Sequence, residues 1–244
     1  GTIGATFYVI GIGFLYAATG TLNIADMAAR LATLGDSSVV QAGFAFVVVG
    51  LGIKAAMFPL HGWLPGAYSY APSLIAIFLA ATATKTSIYL MARFVFDVFP
   101  NGAAFGQGFI IWVLAPLAAT AAIVCSLQAL FEKEIRRVLA FSSVAQVGFI
   151  LLGLSLATVA GASAGLFYLA AHALMKMTLF MALGGLAISL GARRIDELAG
   201  VARDAPWSAV AFGVGAASLA GVPLTLGFLG KWRLIEAALE AGQV

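Results

Sequence analysis

Apolar segments of about 20 residues recur along the whole chain, and they constrain its fold more than any other feature. Inside a bilayer, backbone N–H and C=O groups have no water to bond, so a spanning segment must satisfy them as a helix or within a closed barrel. Runs this long and continuous are typical of helices, whereas barrel strands alternate lipid-facing and lumen-facing residues. The sequence therefore predicts an all-α, polytopic transmembrane bundle with about seven spans.

The composition agrees with a membrane location. Hydrophobic residues make up 62% of the 244 residues and charged residues 9%, with a mean hydropathy of +1.05, whereas soluble domains carry about 25% charged residues. The formal net charge is only +3 and the basic residues are scattered, so we expect no nucleic-acid partner. Cys125 is the single cysteine, which excludes a disulfide framework or a cysteine-based metal site built from this chain.

The predicted spans are separated by charged or by proline- and glycine-rich connections. They cover residues 2–21, 39–58, 73–99, 107–131, 138–157, 165–191 and 207–239. The connections include an amphipathic linker at 23–38, a loop at 100–106 and a polar loop at 192–206. Because the chain starts and stops beside apolar helical patterns, we expect it to be an internal portion of a longer protein.

Prolines interrupt two of the spans. Pro59 and Pro65 bracket the sequence His-Gly-Trp, and Pro223 follows Gly221 and Val222 within the last span. Proline removes a backbone donor and clashes with the preceding turn of a helix. We therefore predict a broken or partly unwound helix at each of these places.

The charged connections can be sorted by side of the membrane. The first break, the EKEIRR cluster at 132–137 and the loop at 192–206 fall on one side and carry most of the basic residues. Because basic loops tend to stay in the cytoplasm, we expect EKEIRR to be cytoplasmic. The membrane would be a bacterial or archaeal plasma membrane, or an equivalent energy-transducing membrane.

Four lysines, Lys54, Lys85, Lys176 and Lys231, lie within or at the edges of apolar spans. A charged residue at the centre of a membrane helix costs about 2.5 to 3.5 kcal/mol on insertion scales. A lysine withdrawn from water can exist uncharged, so a row of such groups could relay protons. The alternatives are snorkelling to the interface for Lys54 and Lys231, each beside a break, and an interhelical hydrogen bond for Lys176.

The two histidines add to these candidates. His172 and Lys176 are four residues apart on one predicted helix, so they share a face. His61 could shuttle protons between the aqueous side and Lys54, or it could pack with Trp63 and cap exposed carbonyl groups. Two distant histidines without nearby acids do not predict a metal site.

Neutral polar residues form an accessory set. Ser142, Ser143 and Gln146 are predicted to hydrogen-bond between helices or to hydrate a channel. The ten acidic residues lie near span ends or in loops, so a carboxylate partner for the relay lysines is missing from the spans. The sequence shows no cofactor-binding motif and no catalytic constellation, so any redox chemistry would belong to other subunits.

The chain resembles the antiporter-like membrane subunits shared by respiratory complex I, membrane-bound hydrogenases and multisubunit cation/proton antiporters. The resemblance rests on four segments in the family's order, KAAMFPLHGWLPGAYSYAPS with ATATKTSIY, RRVLAFSSVAQVGFILLG, HALMKMTLFMALGG and GVPLTLGFLGKWRLIEAAL. It implies a fourteen-helix core with two inverted repeats, each containing one broken helix. Within a single membrane domain, 1–244, residues 1–99 would end the first repeat and 107–244 would form most of the second.

The resemblance also implies roles for the ionisable residues. Lys54 and Lys231 would lie on the two broken helices, Lys85 would be the central relay lysine, and His172 and Lys176 would lie on the axis between them. The family places a glutamate, paired with the first lysine, on a helix that precedes the first span of this chain. It also often has histidine where SSVAQVG has its glutamine, so that step would use water or serine here.

Proton translocation within a larger membrane complex is therefore the leading hypothesis. Protons would enter from the cytoplasmic side, and the partners would be other membrane subunits and the lipid bilayer. Sodium/proton exchange in a multisubunit antiporter is an alternative that uses the same fold. A membrane scaffold without transport, whose lysines form salt bridges to neighbours, is a third hypothesis from a different class.

Overall fold

The chain folds into a bundle of membrane-length helices, as predicted. The computed structural model describes residues 1–34, 37–99, 108–191 and 193–242, apart from the side chain of Ile111. Within these ranges, six helices are long and apolar enough to cross a membrane, namely α1 (Thr2–Thr19), α3 (Ser38–Ala55), α5 (Ser73–Val98), α6 (Trp112–Phe131), α7 (Ile135–Ser155) and α8 (Val159–Leu190). The shorter helices are α2 (Ile24–Leu34), α4 (Trp63–Tyr70), α9 (Val201–Asp204), α10 (Pro206–Ala220) and α11 (Leu226–Glu240). The last two form the interrupted seventh segment.

Two spans begin earlier than predicted. α7 begins at the buried Ile135 instead of residue 138. The extended pairing of Glu134 with Arg194 ends there, and the remainder of the EKEIRR cluster is already helical. α8 begins at Val159 instead of residue 165, because the Thr158 side chain accepts a hydrogen bond from Gly161 N–H at 3.0 Å and caps the helix. The predicted loop at 100–106 lies outside the described residues, as does residue 107, where the fourth span was expected to begin.

Glycines let neighbouring helices approach closely. A Cβ placed on Gly11 or Gly50 would lie 2.7 or 2.5 Å from backbone nitrogen atoms across the contact of α1 with α3. A Cβ on Gly148 would lie 2.6 Å from Ala118 O, where α7 packs on α6. Small residues are typical of such contacts in membranes, because apolar helices gain little from burial against each other and depend on close packing.

One end of the bundle gathers three connections. Residues Glu134 and Arg194 form a short antiparallel bridge. The Arg136 guanidinium donates to Ser69 O at 3.3 Å and to Ala71 O at 2.7 Å, which fastens the end of α4 to the start of α7. We call this the charged end, comprising residues 69–73, 132–137 and 193–204. Its three connections are those that the charge pattern assigned to one side of the membrane.

The two broken helices end in the same way. α3 is followed by Ala56 at φ 55°, and the Met57 N–H donates back to Gly52 O at 2.9 Å. α10 is followed by Gly221 at φ 89°, and the next N–H donates back to Ala217 O at 3.0 Å. Both are left-handed caps of the Schellman type, which satisfy the last carbonyl groups of a helix.

The first interruption is shorter than predicted. Pro59 lies in the non-helical turn after α3, but Pro65 lies in the first turn of α4, which already begins at Trp63. Proline is tolerated in the first turn because the N–H that it lacks would have no helical partner there. In the second interruption, Pro223 lies in the turn between α10 and α11.

Candidate functional site

Lys85 lies in the interior of the bundle, one helical turn from a distortion in α5. The residues Leu79–Ala83 form a π-helical turn, and Lys85 follows in the next turn with only 4% of its surface exposed. Its ammonium group donates to Ala80 O, within the π turn. The neighbouring Thr84 hydroxyl is buried without a hydrogen-bond partner among the described residues. Because π turns widen a helix locally and are frequent at functional sites, this part of α5 is a candidate site on structural grounds.

His172 and Lys176 lie on one face of α8, as their spacing predicts, and both are 0% exposed. Lys176 Nζ donates to Leu139 O at 2.7 Å and to Ser142 Oγ at 2.5 Å, both on α7. The two ring nitrogen atoms of His172 have no hydrogen-bond partner in the described part of the chain. A buried imidazole without partners is costly, so these nitrogen atoms are candidates to bond internal water or to exchange a proton.

Lys85, His172 and Lys176 form one electrostatic cluster. The charges of both lysines act on His172, and the charge of Lys85 acts on Lys176. The ion pairs found within the described ranges are all at helix ends or in connections, namely Asp26–Arg30, Arg93–Asp97, Glu132–Arg137 and Arg194–Asp196. No described carboxylate joins the buried cluster, so a proton on one of its members disfavours a second proton on the others.

An open, largely apolar cavity lies beside Ser142, the residue that bonds Lys176, and reaches Lys231 on α11. It has a volume of about 570 Å³, and its lining includes Ser142, Gln146, Phe149 and Lys231. Gln146 Oε1 accepts a hydrogen bond from the buried Tyr168 hydroxyl, while Lys231 Nζ lies 5.5 Å from the centre of the Phe149 ring. Since Ser142 bonds Lys176, the cavity connects the surroundings of two lysines on different helices.

Lys231 also closes the end of a broken helix. Its ammonium group donates to Leu219 O at 3.1 Å and to Ala220 O at 3.0 Å, the last carbonyl groups of α10. A cation is favourable there because helix C-termini carry partial negative charge. At the first break, Trp63 caps the end of α3 as Lys231 caps the end of α10: its Nε1–H donates to Ile53 O at 2.8 Å. In the sequence, capping of exposed carbonyl groups was one of two alternatives for His61, and it is Trp63 that caps this helix end.

Lys54 lies apart from the buried cluster. It occupies the last turn of α3, its side chain is exposed, and its aliphatic part lies against Gly4 of α1. It forms no hydrogen bond or ion pair with any residue in the described ranges. The structure therefore does not bring the lysine of the first broken helix into contact with the other candidates.

His61 packs among aromatic residues in the first interruption. Its ring stacks on Phe58 at a centroid distance of 5.3 Å and meets Phe141 edge-on at 6.3 Å. Nε2 lies 3.9 Å from Cys125 Sγ, whereas Nδ1 is buried without a partner in the described structure. The predicted contact with Trp63 is not among these interactions, because Trp63 turns towards the end of α3.

Two further residues shape the site and were not singled out from the sequence. Arg136 holds the end of α4 on α7, and Tyr168 orients Gln146. The bonded partners lie 65 and 22 residues apart in the chain, respectively. Only the basic character of Arg136 was visible in the sequence, and it indicated membrane orientation instead of a packing role.

The whole chain, residues 1–244, matches the family described as NADH:quinone oxidoreductase/Mrp antiporter, transmembrane. NADH-quinone oxidoreductase subunit N of Desulforudis audaxviator is 45% identical over 242 residues, which cover 99% of this chain and 48% of that protein. A Na(+)/H(+) antiporter subunit of Bacillus subtilis is 31% identical over 241 residues, with 99% and 48% covered. The chain thus spans about half the length of these curated relatives.

Solved structures show the same fold. A chain of the membrane-bound sulfane sulfur reductase, an archaeal respiratory membrane complex, superposes with a TM-score of 0.91 at 35% identity, covering 100% of this chain and 49% of that one. A chain of the Mrp complex from Dietzia sp. superposes with a TM-score of 0.90 at 37% identity, covering 100% and 44%. Both are chains of multisubunit membrane complexes. The chain therefore belongs to the NADH:quinone oxidoreductase/Mrp antiporter transmembrane family, as an antiporter-like integral membrane subunit.

Proposed function

We propose that this chain forms a proton-translocating part of its subunit, in which protons move among Lys85, His172, Lys176 and Lys231. The observation that carries the proposal is the cluster of two lysines and a histidine, all buried and without a described carboxylate. Burying ionisable groups inside a membrane costs free energy, so such residues are rare and typically have a function. Their mutual repulsion makes the position of a proton sensitive to any charge that changes nearby.

The route from the cluster to Lys231 runs through the cavity. Lys176 bonds Ser142, and Ser142 and Gln146 line the space that reaches Lys231. At about 570 Å³ the cavity is large enough for several water molecules. Since neither amide nor hydroxyl groups hold an excess proton, water would carry protons across this gap, and the Ser142 hydroxyl would take part only by giving up its own proton as it accepts another.

Lys54 and His61 would act at the first break. Lys54 is exposed at the surface of the bundle, where a carboxylate from outside the described chain can reach it. His61 has a buried ring nitrogen without a described partner, which favours a role in proton exchange over one in packing alone. We propose that a carboxylate from the remainder of the subunit, or from a neighbouring subunit, pairs with Lys54.

The proposed orientation places the charged end in the cytoplasm, with protons entering there. Six basic residues at this end support it, namely Lys133, Arg136, Arg137, Arg193, Arg194 and Arg203. The membrane would be a bacterial or archaeal plasma membrane, or an equivalent energy-transducing membrane. Other membrane subunits and lipid would cover the apolar surface of the bundle.

We also propose that the two breaks belong to inverted repeats, with 1–99 in the first and 107–244 in the second. The support is local: both broken helices end in the same left-handed cap. In each case a side chain ten to twelve residues beyond the capped carbonyl group donates to it, Trp63 at the first break and Lys231 at the second.

Sodium/proton exchange is a second candidate function. It is favoured by the similarity to the Bacillus subtilis protein, whose name makes it part of a Na(+)/H(+) antiporter. The two functions differ in their dependence on sodium. Transport that requires a sodium gradient would support exchange, whereas transport in sodium-free buffer, driven by a redox reaction of the purified complex, would support proton pumping.

The test uses the complete complex reconstituted into vesicles, with a pH-sensitive dye to follow proton transport. We expect the Lys85→Ala complex to assemble normally and to lose most of its transport. The matched control is Lys133→Ala, in a connection at the charged end, which should retain transport. Undiminished transport by Lys85→Ala and by Lys176→Ala would refute the proposal, and joint loss of assembly and activity would favour the scaffold hypothesis.

A further inference from the structure

A second cavity, a polar cleft, opens at the charged end. It has a volume of about 600 Å³, and its polar lining includes Ser69, Ser73, Glu134, Arg136 and Arg193. Arg136 donates to Ser73 Oγ at 2.9 Å across the cleft wall, and Arg193 is exposed. Charged and hydroxyl groups of this kind hold water, so the cleft is an aqueous recess in the end of the bundle.

Tyr68 lies on α4 immediately before Ser69, which lines this recess. Its side chain is completely buried, and its ring meets Phe180 edge-on at a centroid distance of 5.0 Å. The phenol oxygen lies beside the Ser143 hydroxyl without a regular hydrogen bond, and no described residue supplies another partner. The adjacent Ser69 Oγ is also buried and unpartnered among the described residues. Two such hydroxyl groups in succession indicate a path for water or protons, because leaving them unpaired costs free energy.

Beyond Tyr68, the path reaches the buried lysine cluster. Ser143 Oγ donates to Leu139 O at 2.8 Å, and Lys176 Nζ donates to the same carbonyl oxygen at 2.7 Å. Two groups that share one acceptor lie within two hydrogen-bond lengths of each other. A single water molecule can therefore bridge the Ser143 hydroxyl and the Lys176 amine.

We propose that the Tyr68 hydroxyl is the relay group between the cleft at the charged end and Lys176. This inference rests on the proposed proton-translocating function. A protonated water in the cleft gives a proton to the phenol oxygen while the phenol proton moves to Ser143 Oγ. The serine proton then passes through the bridging water to uncharged Lys176. Each hydroxyl ends with one proton, so the net change is one proton moved from the cleft to the lysine.

Replacing Tyr68 with phenylalanine tests the relay, because it removes one oxygen atom and keeps the ring on Phe180. We expect the Tyr68→Phe complex to assemble and to transport protons at least ~10-fold more slowly, a modest loss on the scale of proton-transfer groups. Tyr8→Phe is the matched control, since Tyr8, on α1, packs edge-on against Phe94 of α5 and is not among the residues that line the cleft. A packing role for Tyr68 predicts instead that Tyr68→Phe transports normally while Phe180→Leu, which removes the ring contact, slows transport, and that result would overturn the proposal.

Thiol labelling supplies a readout that does not depend on transport. A Tyr70→Cys complex should react with a membrane-impermeant thiol reagent added from the charged-end side only, because Tyr70 lines the cleft and is 92% exposed, whereas the native Cys125 is buried. Adding Tyr68→Phe should leave this labelling rate unchanged, because the cleft stays open when the hydroxyl is lost. Absence of labelling from that side, or a labelling rate that falls along with transport, would overturn the assignment.

Failure of this inference is distinguishable from failure of the proposed function. If Lys176→Met abolishes transport while Tyr68→Phe transports normally, protons reach the cluster by another route and only the Tyr68 assignment fails. If neither variant affects transport, the relay through the buried lysine itself is refuted.

Discussion

Replacement of Lys176 by methionine should separate proton transfer from folding. Lys176 is 0% exposed, and its ammonium group bonds Leu139 O and Ser142 Oγ within the chain. Methionine has a similar length and flexibility, so it should fill the same space without a polar group. We expect the variant subunit to fold and assemble, while proton transport is lost.

The expected stability change follows from the contacts. Removing the ammonium group relieves an insertion cost of about 2.5 to 3.5 kcal/mol and loses two hydrogen bonds of about 1.5 to 3 kcal/mol each. Neither partner is left unsatisfied, because Ser142 and Ser143 both donate to Leu139 O, at 3.0 and 2.8 Å. The free energy of unfolding should therefore fall by about 3.5 kcal/mol at most, and the two effects can nearly cancel. Truncating one member of a buried ion pair would cost about 3 to 5 kcal/mol.

The assay combines three measurements on the complete complex. Size-exclusion chromatography gives the yield of assembled complex, unfolding in a detergent titration gives the stability change, and a pH-sensitive dye in vesicles gives transport. A destabilisation above about 4 kcal/mol, together with loss of assembly, would refute the reasoning and indicate that Lys176 belongs to an ion pair with another part of the complex. Retained transport would show that it is not a relay residue.

Three further outcomes are expected from the same structure. Lys231→Met should weaken the C-terminal cap of α10 by up to about 2 kcal/mol, detected as faster amide hydrogen exchange there, whereas Lys231→Arg should preserve the cap. Gly227→Ala should prevent α11 from packing on α10, because the added Cβ would overlap Ser218 O; the control Gly213→Ala meets no atom within 4 Å and should leave the assembled yield unchanged. At the charged end, two successive backbone N–H groups hold the pKa of the Glu197 carboxyl below its usual 4.5; a lowered folded-state pKa stabilises this turn above pH 4.5 and loses that effect as pH falls through the folded value. The protection factors of amides in the 193–198 segment, measured against intrinsic exchange at each pH, should fall over that acidic range in the unmodified protein and stay constant in Glu197→Gln.

Much of this architecture could be predicted from local sequence patterns. The spans, the two interruptions and the lysines inside apolar segments were all visible, because hydropathy and proline act over a few neighbouring residues. Boundary errors arose where a side chain decided the first turn of a helix. Thr158 starts α8 early by capping it, and Pro65 begins a helix instead of breaking one.

The inward faces of the helices could not be predicted in the same way. In a soluble protein an apolar stripe marks the buried face, but most of these spans are apolar all round, because the bilayer and the bundle interior are both apolar. The sequence by itself therefore determined the helices, their breaks and the presence of ionisable groups within the membrane. Only tertiary packing decided that Lys85, His172 and Lys176 are buried near enough for their charges to interact while Lys54 is exposed, because those relations depend on contacts between residues far apart in the chain.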